Sequence, residues 1–264
     1  MSDRVVFTVE DSGVGVATLN RPDKLNAMDH ALFQGLHQAA NLARAAIGEG
    51  RVRAVLLRAE GRSFSSGLDV SLFSEQLGDG APGDDWIAYL QQAFTGIEDL
   101  PVPVVAAVQG VAFGGGCQLA LAAHLRLAAP DAELALLESN WALIPDLGGL
   151  TRLPRLIGLS RATDMAINAR KVDAQTALAW GLVDAVIDKD CFDDAARTYA
   201  TRLASGPTVA TGAVPALLRQ SFTTGREEML MAERTHQQHC LASADFVEAA
   251  TAAMQGRPAN FTGH

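Results

Sequence analysis

Residues 101–129 read PVPVVAAVQGVAFGGGCQLALAAHLRLAA. The apolar, β-branched run 101–110 predicts a buried strand. Gly114–Gly116 predict a turn feeding a helix over LALAA, and LRLAA predicts a second strand. Strands alternating with helices in this way point to an α/β core.

Toward the N-terminus, residues 4–9 (RVVFTV) and 14–19 (VGVATL) flank the turn-forming EDSG and predict a hairpin. NRPDKLNAMD follows as a loop, and Asp29 is the expected N-cap of a helix over 30–48. A strand is expected over 52–59, then the loop EGRSFSSGLD, a polar and mobile stretch from Gly78 to Asp85, and a helix from Trp86 to Leu100. Beyond 129, ELALL predicts a strand. From about residue 150 the patterns are helical except for GLVDAVID. The expected class is therefore α/β with a C-terminal helical segment that packs on the core.

The chain has 264 residues, 48% hydrophobic and 19% charged, the balance of a folded protein. A net charge of −9 without a Lys/Arg cluster excludes the basic surface that nucleic acid or an anionic membrane requires. No apolar run reaches spanning length, and MSDRVVFTVE lacks a signal core. Cys117, Cys191 and Cys240 form no CxxC spacing, which fits a reduced, cytoplasmic protein.

Four features carry candidate chemistry. The glycines of GVAFGGGCQL (110–119) could aim free N–H groups at an oxyanion, or simply permit tight helix–strand packing. The stretch lacks the Lys-Ser/Thr of a phosphate loop and the dinucleotide spacing. SFSSGLD (63–69) alone is ordinary turn chemistry. Glu138 and Asp146 lie in otherwise apolar surroundings; they read as an acid/base pair, or as a turn cap and the cap of a helix starting near Gly149, and capping is the commoner use of Asp. His236, His239 and Cys240 share a helix face, but three ligands from one turn seldom complete a metal site, so an interface or solvated helix is expected and no metal. His30, His37 and His124 are isolated, and Trp86, Tyr89 and Phe94 are expected to pack a helix.

Taken in order, LNRPDKLNAM, SFSSGLD, PVPVVAAVQGVAFGGGCQLALAAHLRLAA, LIPDLGGLTRLPRLIG, KVDAQTALAWGLVDAVI and ANFTGH resemble the crotonase superfamily, the enoyl-CoA hydratase/isomerase family. The resemblance implies a crotonase-like spiral of ββα units, with residues 1–200 as the core carrying the CoA and catalytic sites. Residues 201–264 would form a C-terminal helical trimerisation segment, giving a homotrimer or a hexamer built as a dimer of trimers. It also implies an acyl-CoA thioester substrate, with coenzyme A as part of the substrate and no separate cofactor. The backbone N–H groups of Leu68 and Gly115 would form the oxyanion hole. Lys24, Leu25, Ser66, Leu68 and Gly114 would line the substrate and CoA site. In the C-terminal stretch QGRPANF, Arg257 is the one cation offered to the CoA phosphates.

Hydratases of this family use two glutamates. This chain keeps the second as Glu138 but has Gln118 at the position of the first, and an amide cannot take up a proton. Asp146 matches the aspartate of dienoyl-CoA isomerases and of ring-epoxide isomerases with their IPD-x-GG motif. The resemblance therefore favours a double-bond isomerase with Glu138, Asp146 and Gln118 as catalytic residues. The alternatives are a hydratase in which Gln118 orients water, and a catalytically weak acyl-CoA-binding protein. Aryl-CoA dehalogenation, with Trp141 among its contacts, is a more distant match.

Overall fold

The computed structural model describes residues 3–72 and 83–263. Its largest sheet has six strands: β1 (Val5–Val9), β2 (Val14–Leu19), β3 (Ala54–Ala59), β4 (Val104–Val108), β6 (Leu125–Ala128) and β9 (Ala185–Val186), paired in that order. β1 and β2 form the expected antiparallel hairpin, and every later pairing in this sheet is parallel. A second sheet joins β5 (Val111–Phe113), β7 (Glu133–Ala135) and β8 (Val172–Asp173).

The chain winds between the two sheets. β4 in the large sheet runs into β5 in the small one and then into helix α3 (Gly115–Ala122). β6 and β7 repeat this and lead to α4 (Gly149–Ile157). The preceding pass makes the same move more briefly: β3 leads to Ser65, which bridges Ala112 of β5 in parallel. Three passes of strand, strand and helix thus stack as a spiral, the α/β architecture expected.

Alternation along the central strands explains the layering, because successive side chains leave opposite faces. Val14, Val16, Leu56, Val105 and Leu127 pack under α7 (Phe192–Ala204), whose Phe192, Ala196, Ala200 and Ala204 fall on one stripe. Ala17, Leu19, Val55, Leu57, Val104 and Ala106 face the larger core under α1 (His30–Gly48) and α2 (Asp84–Glu98). Asp29 caps α1 by accepting from the Leu32 N–H at 2.8 Å.

α2 starts at Asp84 and ends at Glu98, two residues ahead of the expected span at each end. Two aspartates in its first turn meet the positive end of the helix dipole, so Gly83–Asp85 are a helix start rather than a mobile stretch. Residues 78–82 of that stretch lie outside the described residues. Phe94 is buried in the core, and Trp86 and Tyr89 pack against it, in line with the packing reading. After α4 come α5 (Leu159–Ile167), α6 (Ala174–Trp180), α7, α8 (Thr208–Gln220), α9 (Arg226–Leu241) and α10 (Ala244–Gln255). No described helix is long and apolar enough to cross a membrane.

Candidate active site

Each pass of the spiral leaves the small sheet in the same direction. Three residues after Ser65 comes Leu68, two after Phe113 comes Gly115, and three after Ala135 comes Glu138. The carboxyl ends of parallel strands are where such folds gather ligands, and here they gather the sequence candidates.

Local hydrogen bonding fixes the first two. Met28 pairs with the Leu68 segment by donating to Gly67 O at 2.8 Å and accepting from the Asp69 N–H at 3.0 Å, which leaves the Leu68 N–H pointing away from that pair. Gly115 is the first residue of α3, where N–H groups have no helical acceptor. Among the described residues neither amide has an intramolecular acceptor. The two are neighbours: a Cβ on Gly115 would lie 3.5 Å from the Leu68 side chain, and one on Gly67 would lie 3.6 Å from the Gly115 N. The packing reading of the glycine run holds at one position. Gly116 is a packing glycine, since a Cβ there would stand 2.5 Å from Ser65 O. Gly114 sits at φ +50°, with the Glu138 carboxylate 3.4 Å from where its Cβ would be.

The loop that precedes this pair is tied down from below. Asn26, fully buried, accepts from the Arg21 N–H and donates to Glu60 O and Ser63 O. Leu25 and Asn26 both adopt left-handed backbone, and Ser66 N–H bonds to Leu25 O at 2.9 Å. Leu25, Ser66 and Leu68 thereby share one rim, with Lys24 exposed at its edge. Arg21 also pairs with Asp69, whose carboxyl falls to about 2 chiefly through hydrogen bonding to Ser71 and Arg21 against its partial burial.

Gln118 is buried in the first turns of α3, and both ends of its amide are engaged. Its Nε2 donates to Glu138 Oε1 at 2.7 Å, while its Oε1 accepts from the N–H groups of Leu147 at 2.8 Å and Gly149 at 2.9 Å. The amide oxygen is thus committed to backbone. Glu138 Oε2 is buried and without a partner among the described residues. Burial pushes the Glu138 carboxyl above the usual range, with the charge of Asp146 adding to the rise against the hydrogen bond from Gln118. Burial likewise raises Asp146.

The capping readings of these acids are overturned. The N-cap of α4 is Gly148 at φ 91°, and it receives no side-chain cap bond. Glu138 opens a short 3-10 turn without capping it, because its carboxylate is turned inward to Gln118. A buried carboxylate left without a cap function, beside a second acid, is the pattern of proton-transfer groups.

The remaining candidates lie elsewhere. Arg257 is held on Glu248 by two hydrogen bonds of 2.6 and 2.9 Å. His236 and His239 lie with ring centroids 6.2 Å apart on α9, and among the described residues no three His, Cys, Asp or Glu side chains are grouped to hold a metal ion. Sequence reasoning missed Gln91 and Arg152. Gln91 Nε2 donates to Asp146 O at 2.6 Å, and Arg152 Nη1 donates to Leu147 O at 2.8 Å. Nothing in their local sequence marks them, because the contacts depend on tertiary packing.

Comparison with known proteins agrees with this geometry. Residues 9–264 match the family described as "Enoyl-CoA hydratase/isomerase". The chain is 37% identical to a Rhodobacter capsulatus protein named "Probable enoyl-CoA hydratase", over 95% of each chain. It is 31% identical to the Escherichia coli "1,2-epoxyphenylacetyl-CoA isomerase", over 96% of each. The crystal structure of an enoyl-CoA hydratase from Bacillus anthracis superposes with a TM-score of 0.89 at 28% identity, covering 99% of this chain and 100% of that one. With the match running almost from end to end and the spiral reproduced, the chain belongs to the enoyl-CoA hydratase/isomerase family of the crotonase superfamily.

Proposed function

We propose that the protein is a double-bond isomerase acting on an acyl-CoA thioester. The thioester oxygen lies between the N–H groups of Leu68 and Gly115, at the N-terminus of α3, where developing negative charge is favoured. On a 2-enoyl or 2,4-dienoyl thioester Asp146 removes a proton from the γ or a more distal carbon; on a 3,5-dienoyl thioester the same path runs in reverse, the proton leaving the α carbon for Glu138 while Asp146 gives one to the distal carbon. The released electron pair delocalises to the thioester oxygen as a dienolate. Glu138 or Asp146 then returns a proton to another carbon, so the net change is a shift of the double bond with no proton gained or lost. Lys24, Leu25, Ser66, Leu68 and Gly114 line the substrate and CoA.

The observation that carries this reading is the Gln118 bridge. It ties the Glu138 carboxylate and the turn bearing Asp146 to one amide, so two acids with raised pKa values are organised around a residue that cannot itself take up a proton. Raised carboxyl pKa values suit proton transfer near neutrality.

Hydration of a trans-2-enoyl-CoA is the competing reaction, favoured by the unpartnered Glu138 Oε2, which is free to accept from a water. Initial rates with a short trans-2-enoyl-CoA and with a 3,5-dienoyl-CoA separate the two. Isomerisation abolished in Asp146→Asn supports the proposal, whereas fast hydration that survives Asp146→Asn overturns it. Tight acyl-CoA binding without turnover of either thioester would mark a carrier instead.

The proposal extends to assembly and location. The C-terminal segment 201–264 leaves Leu218, Met231, Leu241, Phe246, Val247 and Met254 exposed, which supports a homotrimer or a dimer of trimers. Three free cysteines support a reducing, cytoplasmic setting.

A further inference from the structure

The turn Asp146–Gly148 carries an acid but has no regular structure of its own to hold it. Its backbone is gripped by side chains from three helices instead. Gln91 of α2 donates to Asp146 O, Gln118 of α3 accepts from Leu147 N–H, and Arg152 of α4 donates to Leu147 O. The Asp146 carboxylate, by contrast, accepts no hydrogen bond from another side chain among the described residues, and burial dominates its surroundings. The backbone is therefore fixed while the reactive oxygens stay unencumbered.

Arg152 is the deepest part of this grip. It is 8% exposed, and Nη2 forms an ion pair of 2.5 Å with Glu98 at the C-terminal end of α2. Its guanidinium lies over Gly148: a Cβ there would stand 2.2 Å from Nη1. Gln91 and Glu98 are seven residues apart on α2, two helical turns, so the same face of that helix holds the turn directly and through Arg152. Burying a guanidinium with Nε left unpartnered is a poor way to gain stability, whereas a planar fork that joins a carbonyl to a carboxylate is a precise spacer.

We propose that Arg152, seated on Glu98, and Gln91 are positioning residues that aim the Asp146 carboxylate at the reacting carbon. The inference rests on the proton-transfer reading of Asp146. Displacing a catalytic group by about 1 Å can lower the rate by about 10²-fold, so an effect on turnover is expected without loss of substrate binding.

The experiment compares Arg152→Met, Arg152→Lys, Glu98→Gln, Gln91→Ala and Asp146→Asn, each scaled to folded protein by circular dichroism. The readouts are kcat, KM and the pH profile for the 3,5-dienoyl-CoA. Arg152→Met is expected to lower kcat by about 10–100-fold with KM within about twofold. The limb of the kcat profile that Asp146 sets should also move to lower pH, because a loosened turn admits water and relieves the burial that raises Asp146. Arg152→Lys and Glu98→Gln should fall between it and the wild type. Gln91→Ala, at an exposed position, should fold normally and lose about 3–10-fold by the same route, so it decides the matter if Arg152→Met does not fold. Unchanged kcat and pH limb in the folded variants, with Asp146→Asn inactive, overturn the positioning role alone. Full activity in Asp146→Asn removes the reading beneath it.

Discussion

The pocket around Gln118 and the helices after residue 205 are built on opposite plans. In the pocket, side chains are tied to one another and to backbone across three helices. In the C-terminal region α9 buries none of its residues, and α9 and α10 turn Met231, Leu241, Phe246, Val247 and Met254 to the surface. Apolar exposure of this kind supports the proposal that copies of the same chain cover the face. One region is specified by a set of directed hydrogen bonds. The other is specified only as a face.

The largest effect expected from breaking that contrast falls on the pocket. Asp146→Asn should lower isomerase kcat by about 10²–10⁴-fold while thermal stability holds or rises, since a buried charge is replaced by a neutral isostere. Steady-state rates and a melting curve check this together.

Next comes a pH effect at the junction of the two regions. His124 Nδ1 accepts from the Val104 N–H at 3.0 Å, and Nε2 lies 3.0 Å from Glu98 O, so the ring is held neutral. Burial is the main reason its pKa falls from 6.5 to about 4, and the nearby Arg219 opposes protonation further. A depressed histidine contributes stability that is whole above the unfolded value of 6.5 and is lost as pH falls toward 4. The loss is up to about 3 kcal/mol. Glu138 and Asp146, being raised, act with the opposite sign and favour the fold as they protonate. Urea midpoints between pH 7 and 4 should therefore fall more steeply in the wild type than in His124→Asn.

The apolar face is sharpened by Met231→Glu with Phe246→Glu. Light scattering should show the assembly dissociating at micromolar concentration, while near-ultraviolet circular dichroism of the core is retained. The smallest effect is expected at Arg257→Ala. Its guanidinium is already satisfied by Glu248, so KM for an acyl-CoA should change by less than about twofold.

Much of this was legible in the sequence. The glycine run, Glu138 and Asp146 stand out because glycines and isolated charge leave local traces, whereas Leu68 came only with the family resemblance. The class of fold followed from buried strands alternating with helices. What stayed hidden is instructive. β5 and β8 span three residues and two, too short for any periodicity to register. Gln118 could be read as an amide replacing an acid, but not as the holder of Leu147 and Gly149, which lie about thirty residues away. Arg152 and Glu98 are separated by 54 residues, and nothing near either one predicts the other. Asp146 looked like a cap because capping is common for Asp, and only the left-handed Gly148 shows why it is not.

The repeated exit from the small sheet has a consequence for how this protein could be changed. Leu68, Gly115 and Glu138 occupy similar stations on consecutive windings, so the groups proposed for the reaction are mounted at the ends of struts whose lengths are set elsewhere. A combinatorial library confined to positions 138 and 146 would vary the acids while Gln118 still holds the turn that carries Asp146. Inserting a single residue between Phe113 and Gly115 would rotate a whole winding out of step with its neighbours.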